Sequence, residues 1–461
     1  LGKGSFLISS LKHFNSVKYI FGIEIYDSYV RETKFRILEY FLENPQHIKP
    51  DIYLFKQDIF NFDFQYVQEK MGDPVLVLGN PPWITNSELS TLNSSNVPTK
   101  SNLKNFKGLD AITGKGNFDI GEFISLLMLK NFSTMHGKMA FLIKNSVIKN
   151  LVQDLPKFNY KISNIKTYQI DAKSYFNASV GASLFTCDFN QSDNDLTCES
   201  HEKLSDNSVF VMFGWYKNKF ISDLDAYENS ETYDGHSPYE WRQGVKHDSA
   251  KVFELIKNDT HYLNGLHEHV DIEDDLVYGL IKSSDLKNDV VRHPRKYVII
   301  PQRFIGEDTR YLKERYPKLF AYLSSHEDLL NSRKSSIYRN KQKFSIFGIG
   351  DYSFKPYKIA ISGLYKFPHF SIVLPENDNC LMLDDTCYFL GFDELESALF
   401  TWSILTDKSA HDLLKAISFR DAKRPYTKEI LMRISIDKIA VEMKFEEIYD
   451  KILKLEIDVP L

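Results

Sequence analysis

The chain has 461 residues, of which 43% are hydrophobic and 26% are charged, and this composition excludes collagen-like, disordered and disulfide-scaffold proteins. Its length predicts about two or three domains, and its formal net charge of −5 excludes a basic nucleic-acid binder of the histone type. A local basic face is compatible with that net charge.

Up to residue 195, short apolar strands alternate with amphipathic helices. This alternation predicts an α/β fold in which a parallel sheet is covered by helices on both faces. Helices are predicted at residues 10–14, 29–41 and 120–132, and strands at residues 19–25, 53–57, 74–78, 138–143, 162–170 and 182–189. The polar stretch at residues 84–116 interrupts the alternation and is long for a loop inside a domain, so we expect it to be functional or mobile.

Two features of the sequence set the expected domain limits. The chain opens on Leu1 with a loop and a helix start and no strand before them, so we expect that a natural N-terminal segment is missing from this sequence. Residues 191–207 are polar and rich in turn-forming side chains, which predicts a boundary near residue 200. Residues 1–200 are therefore expected to form the α/β domain. Residues 201–461 lack the regular alternation and are expected to form an α+β domain.

The most informative motif is Asn80-Pro81-Pro82-Trp83, which lies just beyond the predicted strand at 74–78. Two consecutive prolines fix φ twice and remove two donors, so the backbone is stiff and offers its carbonyl groups. The carboxamide oxygen of Asn80 and the carbonyl of Pro81 are two acceptors that can bind both hydrogens of a planar amino group. Trp83 would stack on the base that carries the amine, as flipped bases are commonly held. The alternative is a rigid turn that ends the strand, with Trp83 packed in the core.

This motif and its strand resemble those of the amino-methyltransferases that use S-adenosylmethionine. The closest resemblance is to the DNA adenine-N6 enzymes of restriction-modification systems whose catalytic domain precedes the target-recognition domain, the gamma group. It covers nearly the whole chain and implies a Rossmann-like catalytic domain at 1–200 and a target-recognition domain at 201–461. Trp83 replaces the more frequent Tyr or Phe and keeps a stacking ring. The acid-Pro part of the family's first motif, the strand before it and an upstream cofactor-contacting segment are absent from this sequence, so one wall of the cofactor site is missing.

The resemblance also implies where S-adenosylmethionine binds. Residues 2–7 resemble the family's glycine loop. The acid near the end of the predicted strand at 19–25 would bind the cofactor's ribose hydroxyls. The acid that follows the predicted strand at 53–57 would accept from the amino group of the cofactor's adenine. An aromatic residue near the start of the helix at 120–132 would close the adenine pocket. The implied cofactor-binding residues are Gly2, Gly4, Ser5, Phe6, Glu24, Asp58, Ile59 and Phe123. An ordinary exposed acid at Glu24 and an ordinary core residue at Phe123 are the alternatives.

A second aromatic residue is expected opposite Trp83. Residues 175–189 resemble the family's eighth motif, in which an aromatic edge contacts the flipped base. Tyr175 and Phe176 are both candidates, and we favour Phe176. The resemblance therefore implies a catalytic set of Asn80, Pro81, Pro82, Trp83 and Phe176.

Target choice is expected to come from a basic segment in the second domain. Residues 329–344 contain no acid, and small polar side chains lie between their cations, a pattern that suits contacts to phosphates and base edges. The predicted DNA-binding residues are Arg333, Lys334, Arg339, Lys341 and Lys343. A solvated basic face is the alternative. Residues 240–248 form a second candidate, although His247 is equally compatible with a satisfied polar residue.

The cysteines and the hydropathy pattern argue against other classes of site. Cys187, Cys198, Cys380 and Cys387 form no Cys-x-x-Cys pair, and no metal-ligand spacing occurs, so we expect neither a disulfide framework nor a metal. No apolar stretch approaches the roughly 18 residues of a membrane helix, which predicts a cytoplasmic protein without a membrane partner.

These features predict a site-specific methyltransferase that acts on the N6 amino group of a flipped adenine in double-stranded DNA. A cognate restriction endonuclease would be its functional partner. Three rivals within enzymes are methylation of a cytosine amine, of a protein glutamine or of ribosomal RNA, and the length of the second domain argues against the last two. A DNA-binding specificity subunit with an inactive methylase domain is the rival from another class. A nuclease preceding Leu1 is compatible with the sequence as well.

Overall fold

The computed structural model describes residues 1–84, 119–158, 160–178, 180–190, 195–205, 208–258 and 261–455. The chain divides into two compact units, Leu1–Phe220 and Ile221–Leu461. The sequence predicts the boundary near residue 200, whereas the first unit continues to Phe220. All but the first residue of the predicted loop at 84–116 lies outside the described residues.

The first unit has an α/β architecture with a mixed sheet. Its strands are β1 Tyr19–Glu24, β2 Asp51–Lys56, β3 Val75–Gly79, β4 Gly137–Lys144, β5 Ile162–Ile170, β6 Ala182–Phe189, β7 Thr197–His201 and β8 Val211–Tyr216. β1 and β2 pair in parallel, and the larger sheet has the order β3-β4-β6-β5-β7-β8-β9, in which β9 is Lys219–Ile221. β3 and β4 are parallel, as are β5 and β7, whereas β6 is antiparallel to both of its neighbours.

The predicted α/β class is therefore confirmed, although the sheet is not wholly parallel. Residues 171–181 join β5 to β6. That connection is too short for a parallel crossover, which needs about a dozen or more residues and usually a full helix. The next strand, β9 Lys219–Ile221, spans the division between the two units.

The helices of the first unit cover the strands and direct the chain to the strand ends. They are α1 Ser5–His13, α2 Asp27–Glu43, α3 Gln65–Lys70, α4 Ile120–Phe132, α5 Asn145–Asp154 and α6 Ala172–Phe176. α4 is buried along most of its length, with Leu126 and Leu129 only 2% and 1% exposed. Its burial fixes where its first turn lies relative to β4, against which it packs.

The second unit is built around two sheets. Its strands are β10 Arg242–Gln243, β11 Glu254–Asn258, β12 His261–Asn264, β13 His269–Val270, β14 Val277–Ile281, β15 Val290–Val291, β16 Lys296–Ile299, β17 Tyr357–Ser362, β18 Phe370–Val373, β19 Met382–Leu383 and β20 Cys387–Phe392. One sheet has the order β10-β20-β17-β18-β15 and the other the order β13-β12-β11-β16-β14-β19. Their pairing is mostly antiparallel, in agreement with the predicted α+β character.

Short helices connect and flank these sheets. They are α7 Leu224–Glu228, α8 Ala250–Phe253, α9 Leu312–Arg315, α10 Pro317–Ser325, α11 Glu327–Asn331, α12 Leu395–Leu405, α13 Lys408–Ile417, α14 Lys428–Leu431, α15 Ile436–Glu442 and α16 Phe445–Leu453. Among the helices that the structure describes, none is both long and apolar enough to cross a membrane.

Candidate functional site

Polar side chains lie at or just beyond the ends of three strands of the first unit. Glu24 ends β1, Asp58 lies two residues beyond β2, and Asn80 directly follows β3. Glu24 and Asp58 are neighbours, because β1 and β2 are parallel and the N–H of Gln57 donates to the carbonyl of Glu24 at 3.0 Å. Ligands of open α/β sheets bind beyond the carboxyl ends of the strands, which makes these ends the candidate site.

The Asn80-Pro81 backbone is held by close packing on both sides. Gly79 lies so near the ring of Phe141 that a Cβ at this position would come within 2.8 Å of it. Pro81 is buried, and its Cγ is 3.7 Å from the point where a Cβ of Gly121 would lie. Asn80 is exposed. The motif therefore joins a closely packed backbone to an exposed Asn80 side chain.

Trp83 is fixed by a hydrogen bond and by an aromatic contact. Its indole Nε1–H donates to the carbonyl of Leu142 in β4 at 3.1 Å. Its ring meets that of Phe176 edge to face, with 5.2 Å between centroids and 67° between planes. Tyr175 is 75% exposed and Phe176 is 45% exposed. Of the two candidates, Phe176 is thus the one shown in contact with Trp83.

A buried ion pair joins the first turn of α4 to the end of β4. Asp119 caps α4 by accepting from the N–H of Gly121 at 2.9 Å, and its second oxygen pairs with Lys144. The two side chains are only 11% and 13% exposed. The N–H of Ile120 also donates to the carbonyl of Ile84 at 3.0 Å, so the helix is tied to the chain directly after Trp83. Lys144 was not predicted as part of the site, because nothing in the sequence pairs it with the distant Asp119.

The carboxylate of Glu24 is oriented by backbone donors. One oxygen accepts from the N–H of Gly2 at 2.7 Å, and the other accepts from Ile25 and Tyr26 at 3.0 and 3.1 Å. The side chain is 11% exposed. A carboxylate has about four lone-pair sites, so three backbone donors leave capacity for a hydroxyl. The structure thus brings together Gly2 and Glu24, two residues that the sequence assigned to one site.

Gly4 gives the N-terminal loop its shape. It has φ of 80°, and a Cβ there would come within 2.7 Å of the side chain of Thr33. Both facts favour glycine, and helix α1 begins at the next residue, Ser5. Phe6 is 37% exposed on the first turn of α1.

Asp58 and Phe123 are linked through a residue that the sequence analysis missed. Asp58 accepts from the N–H of Phe60 at 3.0 Å and so caps the short helix Ile59–Asn61. Phe60 meets Phe123 edge to face, with 5.1 Å between ring centroids. The loop after β2 and the first turn of α4 therefore share an aromatic wall. Phe60 could have been found from its position directly after the Asp58-Ile59 pair.

Arg333 of the basic segment is engaged inside the second unit. Its Nε donates to the carbonyl of Leu330 at 2.8 Å, and its Nη1 donates to the carbonyls of His247 and Ser345 at 3.3 and 2.8 Å. Its guanidinium also lies 3.8 Å from the ring centroid of Tyr338. The DNA contact predicted for Arg333 stays a prediction, whereas the contacts shown here are structural.

The other four cations of the basic segment lie on the surface. Lys334, Arg339 and Lys341 are exposed, and Lys343 pairs with Glu327 at 2.9 Å. This arrangement leaves a cluster of positive charge available to a ligand.

The second candidate segment lies against the basic segment. Lys246 and Phe347 form an antiparallel bridge, and the hydroxyl of Tyr338 donates to the carbonyl of Lys246 at 3.1 Å. His247 is 7% exposed, and its Nδ1 accepts from the N–H of Ser249 at 3.2 Å. His247 is therefore a satisfied buried polar residue, which was the alternative left open by the sequence.

Comparison with known proteins identifies one strongly similar relative. The chain is 36% identical over 440 residues to the type II methyltransferase M.NspV of a Nostoc species, which covers 95% of this chain and 90% of that protein. No protein-family model matches the chain.

Two solved structures share the fold at low sequence identity. The type IIL restriction-modification enzyme MmeI in complex with DNA aligns with a TM-score of 0.54 and 11% identity, over 88% of this chain and 54% of that one. A nuclease-deletion mutant of the type ISP restriction-modification enzyme LlaGI, in complex with a DNA substrate mimic, aligns with a TM-score of 0.50 and 12% identity, over 95% and 50%. The chain thus spans about half the length of each.

The ion pair between Asp119 and Lys144 gives a prediction about stability. Lys144→Met should lower the free energy of unfolding by about 3 kcal/mol, because it leaves a buried carboxylate without its partner. Adding Asp119→Asn should restore most of that loss, because Asn still caps a helix and carries no charge. Urea unfolding measures both variants. Equal losses in the single and the double variant would contradict this account of the pair.

Proposed function

The chain belongs to the type II methyltransferases of restriction-modification systems, and we propose that it methylates the N6 amino group of adenine in a specific sequence of double-stranded DNA. The observation that carries the proposal is the exposed Asn80 on an immobilised backbone, beside the aromatic pair of Trp83 and Phe176. A cognate restriction endonuclease would be the functional partner, since such a methyltransferase protects DNA from cleavage.

The proposed chemistry depends on two acceptors. The carboxamide oxygen of Asn80 and the carbonyl of Pro81 accept the two hydrogens of the adenine amino group. These bonds draw the nitrogen lone pair out of conjugation with the ring, so that it is directed toward the methyl donor. The acceptors also stabilise the positive charge that develops on the nitrogen, and fixed acceptors do this without reorganisation. The consecutive prolines, Pro81 and Pro82, provide that rigidity.

The adenine must leave the helix stack to reach these acceptors. In the proposal, the flipped base is held by the ring of Trp83 and the edge of Phe176. The bond from the Trp83 indole to Leu142 keeps the stacking ring in place before DNA arrives. Holding the amine in line with the donor accounts for a large part of the rate in reactions of this kind.

The residues at the strand ends fit S-adenosylmethionine. Glu24 offers an oriented carboxylate to the ribose, and Asp58 with Ile59 lies beside the aromatic wall that would hold the adenine. The left-handed turn at Gly4 lets backbone approach the methionine part closely. The proposed cofactor-binding residues are Gly2, Gly4, Ser5, Phe6, Glu24, Asp58, Ile59 and Phe123. When bound, the cofactor supplies a methyl group activated on a sulfonium.

The second unit is proposed to bind the target DNA. Lys334, Arg339 and Lys341 are exposed cations on one segment, which suits contacts to phosphates. Arg333 and Lys343 would contribute less, because each is engaged with other groups of the unit.

The role of Asn80 is tested by Asn80→Ala in the full chain. Methyl transfer should fall at least about a hundredfold, because one preorganised group of the transition state is lost. DNA and cofactor binding should stay nearly unchanged. Incorporation of labelled methyl groups into DNA measures the rate, and Asn15→Ala in an exposed turn serves as the matched control. A fall of less than about tenfold, or 1.4 kcal/mol, would refute the assignment.

The cofactor site is tested by Glu24→Ala. The dissociation constant for S-adenosylmethionine should rise by the equivalent of roughly 1.5 to 3 kcal/mol, since a charged acceptor of the ribose is removed. Titration calorimetry measures the constant, and Glu43→Ala at the exposed end of α2 is the control. An unchanged constant would remove Glu24 from the site.

The basic segment is tested by replacing Lys334, Arg339 and Lys341 with Ala together. Fewer counterions should be released on binding, so the slope of log affinity against log salt should flatten by about 0.9 per lost phosphate contact. Filter binding over a salt series, on cognate and scrambled duplexes, measures the slope. A control variant removes three exposed lysines elsewhere in the unit, namely Lys287, Lys313 and Lys423. If both variants keep the original slope, the segment is only a solvated face.

A further inference from the structure

An apolar loop tip projects from the second unit between β16 and α9. The loop begins at Gln302 and ends at Thr309, and Phe304 and Ile305 at its tip are 57% and 54% exposed. Two adjacent large apolar side chains at a loop tip leave apolar surface in water, which is unfavourable. An adjacent exposed pair of this kind offers an apolar contact surface to a ligand.

The loop is held in one shape from inside. Gln302 is 1% exposed, and its Nε2 donates to the carbonyls of Phe304 and Ile346 at 2.9 and 3.2 Å. Its Oε1 accepts from the N–H of Ile346 at 3.2 Å. A turn closes the tip, because the N–H of Glu307 donates to the carbonyl of Phe304 at 3.2 Å and Gly306 has φ of 90°. The exposed pair is therefore displayed on a fixed support.

The base of the loop is bonded to the chain at the end of the basic segment. At one end of the loop, the hydroxyl of Thr309 donates to the carbonyl of Lys343, the last cation of the segment. At the other end, Gln302 is bonded to Ile346, which lies just beyond the segment. Arg303 adds a cation next to the tip, with its guanidinium 4.2 Å from the ring centroid of Phe354.

The two acids of the loop are both engaged. Glu307 accepts from the backbone N–H of Arg303, and Asp308 accepts from the backbone and side chain of Arg310. The loop thus combines a rigid apolar tip with charges that balance over residues 303–310, and the net positive charge lies on the basic segment to which its base is bonded.

We propose that Phe304 and Ile305 form a wedge that enters double-stranded DNA at a base step and helps to extrude the target base. This inference rests on the proposed function and assigns to the second unit a part in base flipping. Proteins that kink or unstack duplexes insert apolar side chains between bases, while cations alongside hold the phosphates. A rigid wedge loses little conformational freedom on insertion. The bond from the base of the loop to the proposed DNA-binding segment favours DNA as the occupant over a protein partner.

The test measures how tightly the full chain and its variants bind two DNA duplexes. Both contain the sequence that the wild-type protein methylates, and in one of them the target adenine is mispaired. Phe304→Ala/Ile305→Ala should bind the paired duplex about tenfold more weakly than the wild type does. It should bind the mispaired duplex nearly as well as the wild type, because a mispaired base costs less free energy to extrude. Fluorescence of 2-aminopurine at the target position should show less extrusion on the paired duplex.

The control variant removes apolar side chains elsewhere on the same unit. Phe445→Ala/Tyr449→Ala changes two side chains that are 72% and 50% exposed on α16, and it should bind both duplexes as the wild type does. Unchanged binding by the tip variant would overturn the wedge and point to a protein or lipid partner for the tip. Equal weakening on both duplexes would overturn it in favour of a simple surface contact. If the wild type itself binds no duplex DNA, the proposed function fails first.

Discussion

The rest of the proposed site depends on the fixed backbone at Asn80-Pro81. Acceptors that capture an amino group act only if they do not move when charge develops, and packing on both sides supplies that constraint here. Gly79 allows the chain to pass against Phe141, and the buried Pro81 lies near Gly121 in the first turn of α4. Two hydrogen bonds, from Trp83 to Leu142 and from Ile120 to Ile84, then fix the chain that follows. The indole of Trp83 therefore has both a stacking face and a hydrogen bond that fixes it, and a phenylalanine ring could not form that bond.

The two units divide the proposed work by physical principle. The first concentrates oriented acceptors and aromatic rings at strand ends, where ligands of α/β sheets bind. The second presents cations and an apolar loop tip on short, irregular elements, whose length and shape can vary without disturbing a core. Bonds from Tyr338 to Lys246 and from Arg333 to His247 join its two sequence-predicted recognition segments, and Gln302 bonds the base of the loop to Ile346 just beyond the basic segment.

Much of the first unit could be predicted from sequence because its periodicity is local. The strands at 162–170 and 182–189 were predicted at their observed limits, and the motif at Asn80 followed its strand as expected. The start of α1 was missed, since Gly4 caps that helix through a left-handed conformation and not through a side chain. The antiparallel direction of β6 follows from the shortness of the connection at residues 171–181. Tertiary contacts account for the rest: Lys144 is paired only in the fold, Arg333 is engaged by distant carbonyls, and the exposure of Phe304 and Ile305 is invisible in a sequence where most apolar residues form the core.

If the acceptors at Asn80 and Pro81 capture the amino group of an adenine, that base carries the methyl group. The most direct measurement is single-molecule sequencing of modified bases in DNA from cells that express the full-length gene, with the Asn80→Ala variant sequenced in parallel. We expect N6-methyladenine at every occurrence of one short sequence, and none in DNA from cells that express the variant. N4-methylcytosine in a fixed sequence would contradict the choice of base. The absence of any modified base would contradict the assignment of methyl transfer itself.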